Sequence, residues 1–206
     1  MKNSEFITFK SKRNDVFLHD GLVEKHFSCS ESAAVECEVL SCLRSVGVRV
    51  PKVCANSGAV LKMQYIPGVP LPDLIETLEN CWTVADAKML ALKLIAWFRD
   101  FYGAVKTDET GEIRGDVNGR NFIFDEVHCW GVDFEERVYG TKEQDIGRLI
   151  AFVLTYDPPE TTLKNALADI ILRDAVLELG VCGQEVCRQR DLELDAMRRR
   201  RAERKN

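Results

Sequence analysis

Between residues 114 and 135 the chain spaces three oxygen-bearing side chains in a way that few folds can use. The run Arg114-Gly115-Asp116-Val117-Asn118-Gly119-Arg120-Asn121-Phe122-Ile123-Phe124 puts an Asn five positions after an Asp, and Asp133-Phe134-Glu135 begins twelve residues after that Asn. The Asp, Asn and Gly of the first run read as a loop, because all three favour turns. Phe122-Ile123-Phe124 then opens a short hairpin that returns the chain to Asp133. This layout places one carboxylate near an attacking hydroxyl. It places an amide and a second carboxylate where a hard Mg2+ ion needs oxygen ligands. The pattern implies phosphoryl transfer, and no other stretch constrains function as tightly.

A chain of 206 residues accommodates one large domain or two small lobes sharing a cleft. With 46% hydrophobic residues it can bury a real core, and no run approaches the length of a transmembrane helix. The first residues, Met1-Lys2-Asn3-Ser4-Glu5, lack the apolar stretch of a secretory signal, so the expected location is the cytoplasm. The eight cysteines form no C-x-x-C pair, and no His is placed with them to suggest a zinc site, which predicts reduced, mostly buried thiols. Cys182 and Cys187 are the two that could approach each other at a loop. The net charge of −5 conceals a C-terminal stretch, Arg198 to Asn206, that carries +5 by itself and leaves −10 on the rest. An acidic body does not attract nucleic acid; the basic end could touch nucleic acid or a protein partner.

Patterning divides the chain into a strand-rich and a helix-rich part. Glu5–Phe9, Val16–Leu18 and Leu22–Phe27 read as strands, the last two joined at Asp20-Gly21. A helix follows, with Ser28 and Glu31 as a possible capping box, Gly47 as its stop, and Glu36, Val39, Leu40 and Leu43 on one face. A carboxylate on an apolar face needs a partner. Val48–Ala55 and Ala59–Ile66 read as two further strands. The connector Pro67-Gly68-Val69-Pro70-Leu71-Pro72 is the expected lobe boundary. Beyond it come a short helix over Asp73–Asn80 and a long one opened by Thr83 with Asp86. That long helix runs to about Val105 and is apolar at Met89, Leu90, Leu94, Trp97, Phe98 and Phe101. Helices over Lys142–Thr155, over Thr161–Leu179 and from about Gln184 complete the chain. The predicted fold class is α+β, with residues 1–67 forming a small sheet plus one helix and residues 68–206 mainly helical.

These motifs, taken in order, resemble the protein-kinase-like superfamily, and within it the aminoglycoside phosphotransferase and small atypical kinase branch. The likeness spans roughly residues 22 to 157. It rests on Arg114-Gly115-Asp116 through Asn121, on Asp133-Phe134-Glu135, and on Asp145-Ile146-Gly147 before an apolar helix. It rests also on Glu36-Cys37-Glu38-Val39-Leu40 with Gly47-Val48-Arg49-Val50-Pro51-Lys52-Val53, and on the hinge-like Leu61-Lys62-Met63-Gln64-Tyr65-Ile66-Pro67-Gly68. The chain departs from the branch in carrying Arg114 where a His is usual, and in lacking a G-x-G-x-x-G: residues 10–21 hold only Gly21.

The resemblance implies a two-lobed fold with a reduced N-lobe, and ATP and Mg2+ as cofactors. Asp116 would be the catalytic base. Asn121 and Asp133 would be metal ligands. Lys25 would contact the α- and β-phosphates, held by Glu36, and the backbone of Gln64, Tyr65 and Ile66 would bind adenine. Asp145 would brace the catalytic loop. The implied acceptor is a small-molecule hydroxyl. The alternatives are a compact serine/threonine kinase similar to the kinase of the KEOPS assembly, whose Arg-rich end this chain shares at Arg198–Lys205, or a nucleotide-binding pseudokinase regulator.

Overall fold

The structure, a computed structural model, describes residues 7–9 and 13–203. The start of the first predicted strand, Glu5-Phe6, and the last residues of the basic end, Arg204 to Asn206, lie outside the described residues.

An antiparallel sheet of five strands forms the N-terminal part. Its strands are β1 (Ile7–Phe9), β2 (Asp15–His19), β3 (Leu22–His26), β4 (Val53–Ser57) and β5 (Val60–Gln64), in the spatial order β1-β2-β3-β5-β4. Asp20 and Gly21, both at positive φ, close the β2–β3 hairpin as a two-residue turn requires. The register sets Lys25 opposite Val16 on one side and Leu61 on the other, in the middle of the sheet.

Helix α1 (Ser30–Ser45) buries Glu36, Val39, Leu40 and Leu43 on the predicted face. The expected capping box is not formed: the N-cap is Cys29, without a side-chain cap. Phe27 is buried and donates its N–H to the Ala59 carbonyl at 2.8 Å, so the strand ladder holds the chain extended past Ser28. The strand expected from Val48 begins only at Val53. Val48 and Val50 are pulled into the core, and Pro51 has no N–H to offer a ladder.

The connector pairs with the second part of the molecule, since β6 (Val69–Pro70) runs antiparallel to β8 (Phe122–Phe124). Helix α2 (Leu71–Leu78) starts two residues earlier than predicted because Pro72 is tolerated in a first turn. Helix α3 (Val84–Val105) begins with the Thr83–Asp86 capping box. Of its predicted apolar stripe, Met89 is exposed instead. The rest of the stripe packs into an aromatic cluster in which Trp97 stacks on Phe101 at 5.3 Å and meets Phe122 edge-on at 5.3 Å. Burial of each such ring contributes roughly 1.5–3 kcal/mol.

The remaining elements are β7 (Gly111–Ile113), a 3-10 turn (Gly119–Asn121), β9 (Cys129–Gly131), β10 (Val138–Gly140), α4 (Lys142–Thr155), α5 (Thr162–Leu179) and α6 (Gly183–Glu203). The architecture is α+β, a β-rich N-lobe over a mainly helical C-lobe. Among the described residues no helix is long and apolar enough to cross a membrane. The cysteines are all free thiols, but the expectation that most are buried fails. Only Cys129 is buried, while Cys29, Cys42, Cys54, Cys81 and Cys182 are exposed, because most fall on helix faces and turns outside the apolar stripes.

Candidate active site

Lys25 is buried, and three carboxylates surround its ammonium. Glu36 Oε2 lies at 2.7 Å and Glu135 Oε1 at 2.8 Å, and Asp133 Oδ1 makes a third ion pair. Lys25 stands on β3 and its partners come from α1 and the loop after β9, so the cluster closes the space between the lobes. Glu36, Asp133 and Glu135 lie close enough together to suggest a cation site, and the cation they hold here is Lys25 itself. Burial by itself would push the lysine down, but Glu36 and Asp133 outweigh it and hold the ammonium well above its ordinary value. One ammonium cannot balance three anions. Burial pushes Glu36 up, and Asp133 adds to that push against the pull of Lys25. Burial also opposes ionisation of Asp133, yet Lys25 draws it below the usual carboxylate range.

The loop that carries Asp133 is fixed from below. Its backbone is left-handed, with φ 70° at Asp133, a conformation that costs a non-glycine residue about 1 kcal/mol or more. Arg114 holds it: Nη2 donates to the carbonyls of Val132 at 2.6 Å and Asp133 at 2.7 Å. Its guanidinium lies 4.2 Å over the Phe134 ring. Phe134 is buried beside Trp97 and Phe101, and its N–H donates to Glu36 Oε1 at 3.0 Å. Arg114, which stands where the resembled branch usually carries a His, therefore supports this loop through its backbone.

The loop of Asp116 is fixed in turn by Asp145. That buried carboxylate accepts from the N–H groups of Arg114 at 2.7 Å and Gly115 at 2.9 Å, and from the Tyr102 hydroxyl at 3.0 Å. Burial pushes Asp145 up, against the pull of the two backbone donors. Gly115 sits at φ 72° against Val138, a backbone that other residues resist. Asp116 is left exposed, with Oδ1 accepting from the Asn118 N–H at 3.1 Å. Asn121 is buried and donates its amide to the Asp116 carbonyl at 3.3 Å, which leaves its Oδ1 as an oxygen donor. The Val132 N–H donates to the Asn121 carbonyl at 3.0 Å, so Asn121 and Asp133 stand on adjoining backbones.

The structure thus brings Lys25, Glu36 and Asp133 into contact and seats Asp116 and Asn121 on the neighbouring loop. Gln64, Tyr65 and Ile66 lie apart from this cluster, at the end of β5. The Gln64 N–H already donates to the Lys52 carbonyl at 2.8 Å, while Tyr65 and Ile66 lie past the strand end. Sequence reasoning assigned no role to Asn14, which donates to Glu135, nor to Arg13, which pairs with Glu136 at 3.0 Å. Both sit in an irregular loop with no motif to mark them. Glu135 was in plain view beside Asp133, but its contact with Lys25 depends on the lobes closing.

A family model described as a RIO domain matches residues 1–150. No curated protein matches the chain. Among solved structures, aminoglycoside phosphotransferase APH(4)-Ia is similar at 13% identity, over 93% of this chain and 83% of its own, with a TM-score of 0.62. The ADP-bound aminoglycoside phosphotransferase APH(2'')-Ib is similar at 17% identity, over 93% and 83%, with a TM-score of 0.57. A choline/ethanolamine kinase family protein from Mesorhizobium loti is similar at 15% identity, over 94% and 88%, with a TM-score of 0.51. Identities this low show a shared fold.

Proposed function

The chain belongs to the RIO domain family, within the protein-kinase-like superfamily, and we propose that it is an ATP-dependent phosphotransferase acting on a hydroxyl, with a small molecule as acceptor. The observation that carries this reading is Lys25 clamped between Glu36 and Asp133, with Asp116 and Asn121 one loop away. Similar structures support the cofactor: one is named as ADP-bound and another as a complex with AMP-PNP and hygromycin B.

In this reading the acceptor oxygen forms a bond to the γ-phosphorus and the bond from that phosphorus to the β–γ bridging oxygen breaks. ADP leaves, and the acceptor proton passes to Asp116. Lys25 exchanges part of its carboxylate cage for the α- and β-phosphates. Asn121 and Asp133 offer two hard oxygen donors on adjoining backbones, which fits Mg2+; the ion would neutralise phosphate charge. The adenine would bond to backbone groups of Gln64 to Ile66, with the Gln64 N–H already committed to Lys52. Residues 1–67 would act as the nucleotide-covering lobe and 68–206 as the acceptor-binding lobe, in the cytoplasm. The Arg198–Lys205 segment would contact nucleic acid or a protein partner. Within α6 that segment is partly neutralised, since Arg198 pairs with Asp195 at 3.0 Å and Arg200 with Glu193 at 2.5 Å.

A second reading, a nucleotide-binding regulator without turnover, draws on one feature: Glu135 and Asn14 occupy the place beside Lys25 where phosphates would lie. A thermal-shift and turnover pair separates the two. Mg-ATP at a hundredfold excess over its Kd should raise the melting temperature of the wild type by about 5–10 °C. Asp133→Ala should abolish the rise; Asp116→Asn should keep it and lose ADP release with every acceptor. An absent shift in the wild type would end both readings. A shift without any turnover would leave the regulator.

A further inference from the structure

We propose that the phosphoryl acceptor carries a negative charge beside its hydroxyl, and that Arg148 is the residue that reads it. This deepens the phosphotransferase reading and rests on it.

Helix α4 turns one face to the loop of Asp116. On that face, at i, i+3 and i+7 spacing, stand Asp145, Arg148 and Phe152. Asp145 binds the Gly115 N–H at 2.9 Å, Arg148 Nη1 donates to the Gly115 carbonyl at 3.4 Å, and the Phe152 ring lies against Gly119. Arg148 therefore stands one residue from Asp116, reaching the loop from the C-terminal helices. Lys25 and its phosphate site lie on the N-lobe side of Asp133. A hydroxyl that approaches Asp116 from the C-lobe side passes the Arg148 guanidinium.

The charge state of this approach is unbalanced. Arg13 pairs with Glu136, Arg120 with Asp73 and Arg137 with Glu38 and Glu112. Arg114 spends Nη2 on backbone carbonyls. Among the described residues no carboxylate lies within ion-pair distance of Arg148, and its single contact is long and uses one of five donors. The nearest acids on α4 are committed: Asp145 to three donors, Glu143 to the Cys182 N–H at 3.0 Å. A cationic acceptor would meet an uncompensated guanidinium on this face. A phosphate or carboxylate group would meet a planar fork shaped for bidentate pairing.

Three hydroxyl acceptors of similar size but different charge, glycerol phosphate, glycerol and choline, separate the possibilities when ADP release is measured. Glycerol phosphate should give the highest kcat/KM. Arg148→Ala should raise its KM about tenfold or more, the loss of one charged hydrogen-bonded pair, and Arg148→Lys should recover part of it. A binding arm needs no turnover. Inorganic phosphate should raise the melting temperature of the wild type already saturated with Mg2+ and AMP-PNP, and should not raise that of Arg148→Ala. The nucleotide shift in that variant reports that fold and nucleotide site are intact. A preference for choline or glycerol, an unchanged KM in Arg148→Ala, or no phosphate increment in a wild type that still binds nucleotide would overturn the proposal while sparing the phosphotransferase reading. Loss of the nucleotide shift in the wild type itself would take down both.

Discussion

Arg114 Nη2 donates to the Asp133 carbonyl at 2.7 Å, so the side chain that begins the Asp116 loop grips the backbone that presents the second carboxylate. The same nitrogen serves Val132, and the guanidinium covers Phe134. Arg114→Ala leaves these carbonyls without a charged donor and opens a gap over the ring. The expected loss is about 3 kcal/mol, read from urea unfolding. The Mg-ATP shift should fall with it, because the left-handed backbone at Asp133 loses its clamp. A variant as stable as wild type with an unchanged shift would show that the clamp has no function.

Lys25→Met removes the ammonium that Glu36, Asp133 and Glu135 share. A buried charge left alone costs about 3–5 kcal/mol, so this variant should unfold at clearly lower urea. Adding Glu36→Leu should restore part of the stability, since it removes the stranded carboxylate. It should not restore nucleotide binding. Recovery of the Mg-ATP shift in the double variant would contradict the assignment of Lys25 to the phosphates.

The pH response follows from Asp133. Burial disfavours its ionised form, but Lys25 wins and holds it below the ordinary carboxylate range. A depressed folded-state value means that the group stabilises the fold above its unfolded value of about 4 and loses that contribution as pH falls through the lower, folded one. Asp133→Asn should therefore melt below the wild type at pH 6–7, with the gap closing as the pH falls below the unfolded value of about 4. Glu36 and Asp145, pushed up by burial, act in the opposite sense. They favour the fold while protonated and lose that contribution as pH rises through their raised values; Asp145 is common to both proteins and cancels in the difference, whereas Glu36 is relieved of the push from Asp133 in the variant, which narrows the gap at neutral pH without reversing its trend. A gap that widens on acidification would contradict the Lys25 pairing.

Gly119 begins the 3-10 turn that ends at Asn121, and a Cβ there would lie 2.4 Å from the Phe152 ring. Gly119→Ala should cost about 1–3 kcal/mol by overpacking and should lower turnover by displacing Asn121. Phe152→Leu, added to it, should recover both in part. Equal stability and turnover for Gly119→Ala would mean that the turn yields without moving the site.

The helices α3 to α6, the β2–β3 hairpin and the Glu36 face of α1 were legible from apolar periodicity, capping pairs and the Asp20-Gly21 turn. Each of these signals is local, and the tertiary packing agrees with it. The misreadings fall where distant contacts override local preference. Phe27 bonded to Ala59 delays α1 past Ser28, and Val48 and Val50 drop into the core ahead of Pro51. Asp116, Asn121 and Asp133 were marked by spacing because turn chemistry and oxygen chemistry both leave a trace in residue type.

The sequence by itself determined which groups could do chemistry and that Glu36, a carboxylate on an apolar face, required a partner. Only the tertiary structure decided the partners: Lys25 shared among three acids, Arg114 spent on two carbonyls, Arg148 left without an anion among the described residues. Ion pairing depends on distances across loops and lobes, and neighbours in space leave no mark on spacing along the chain.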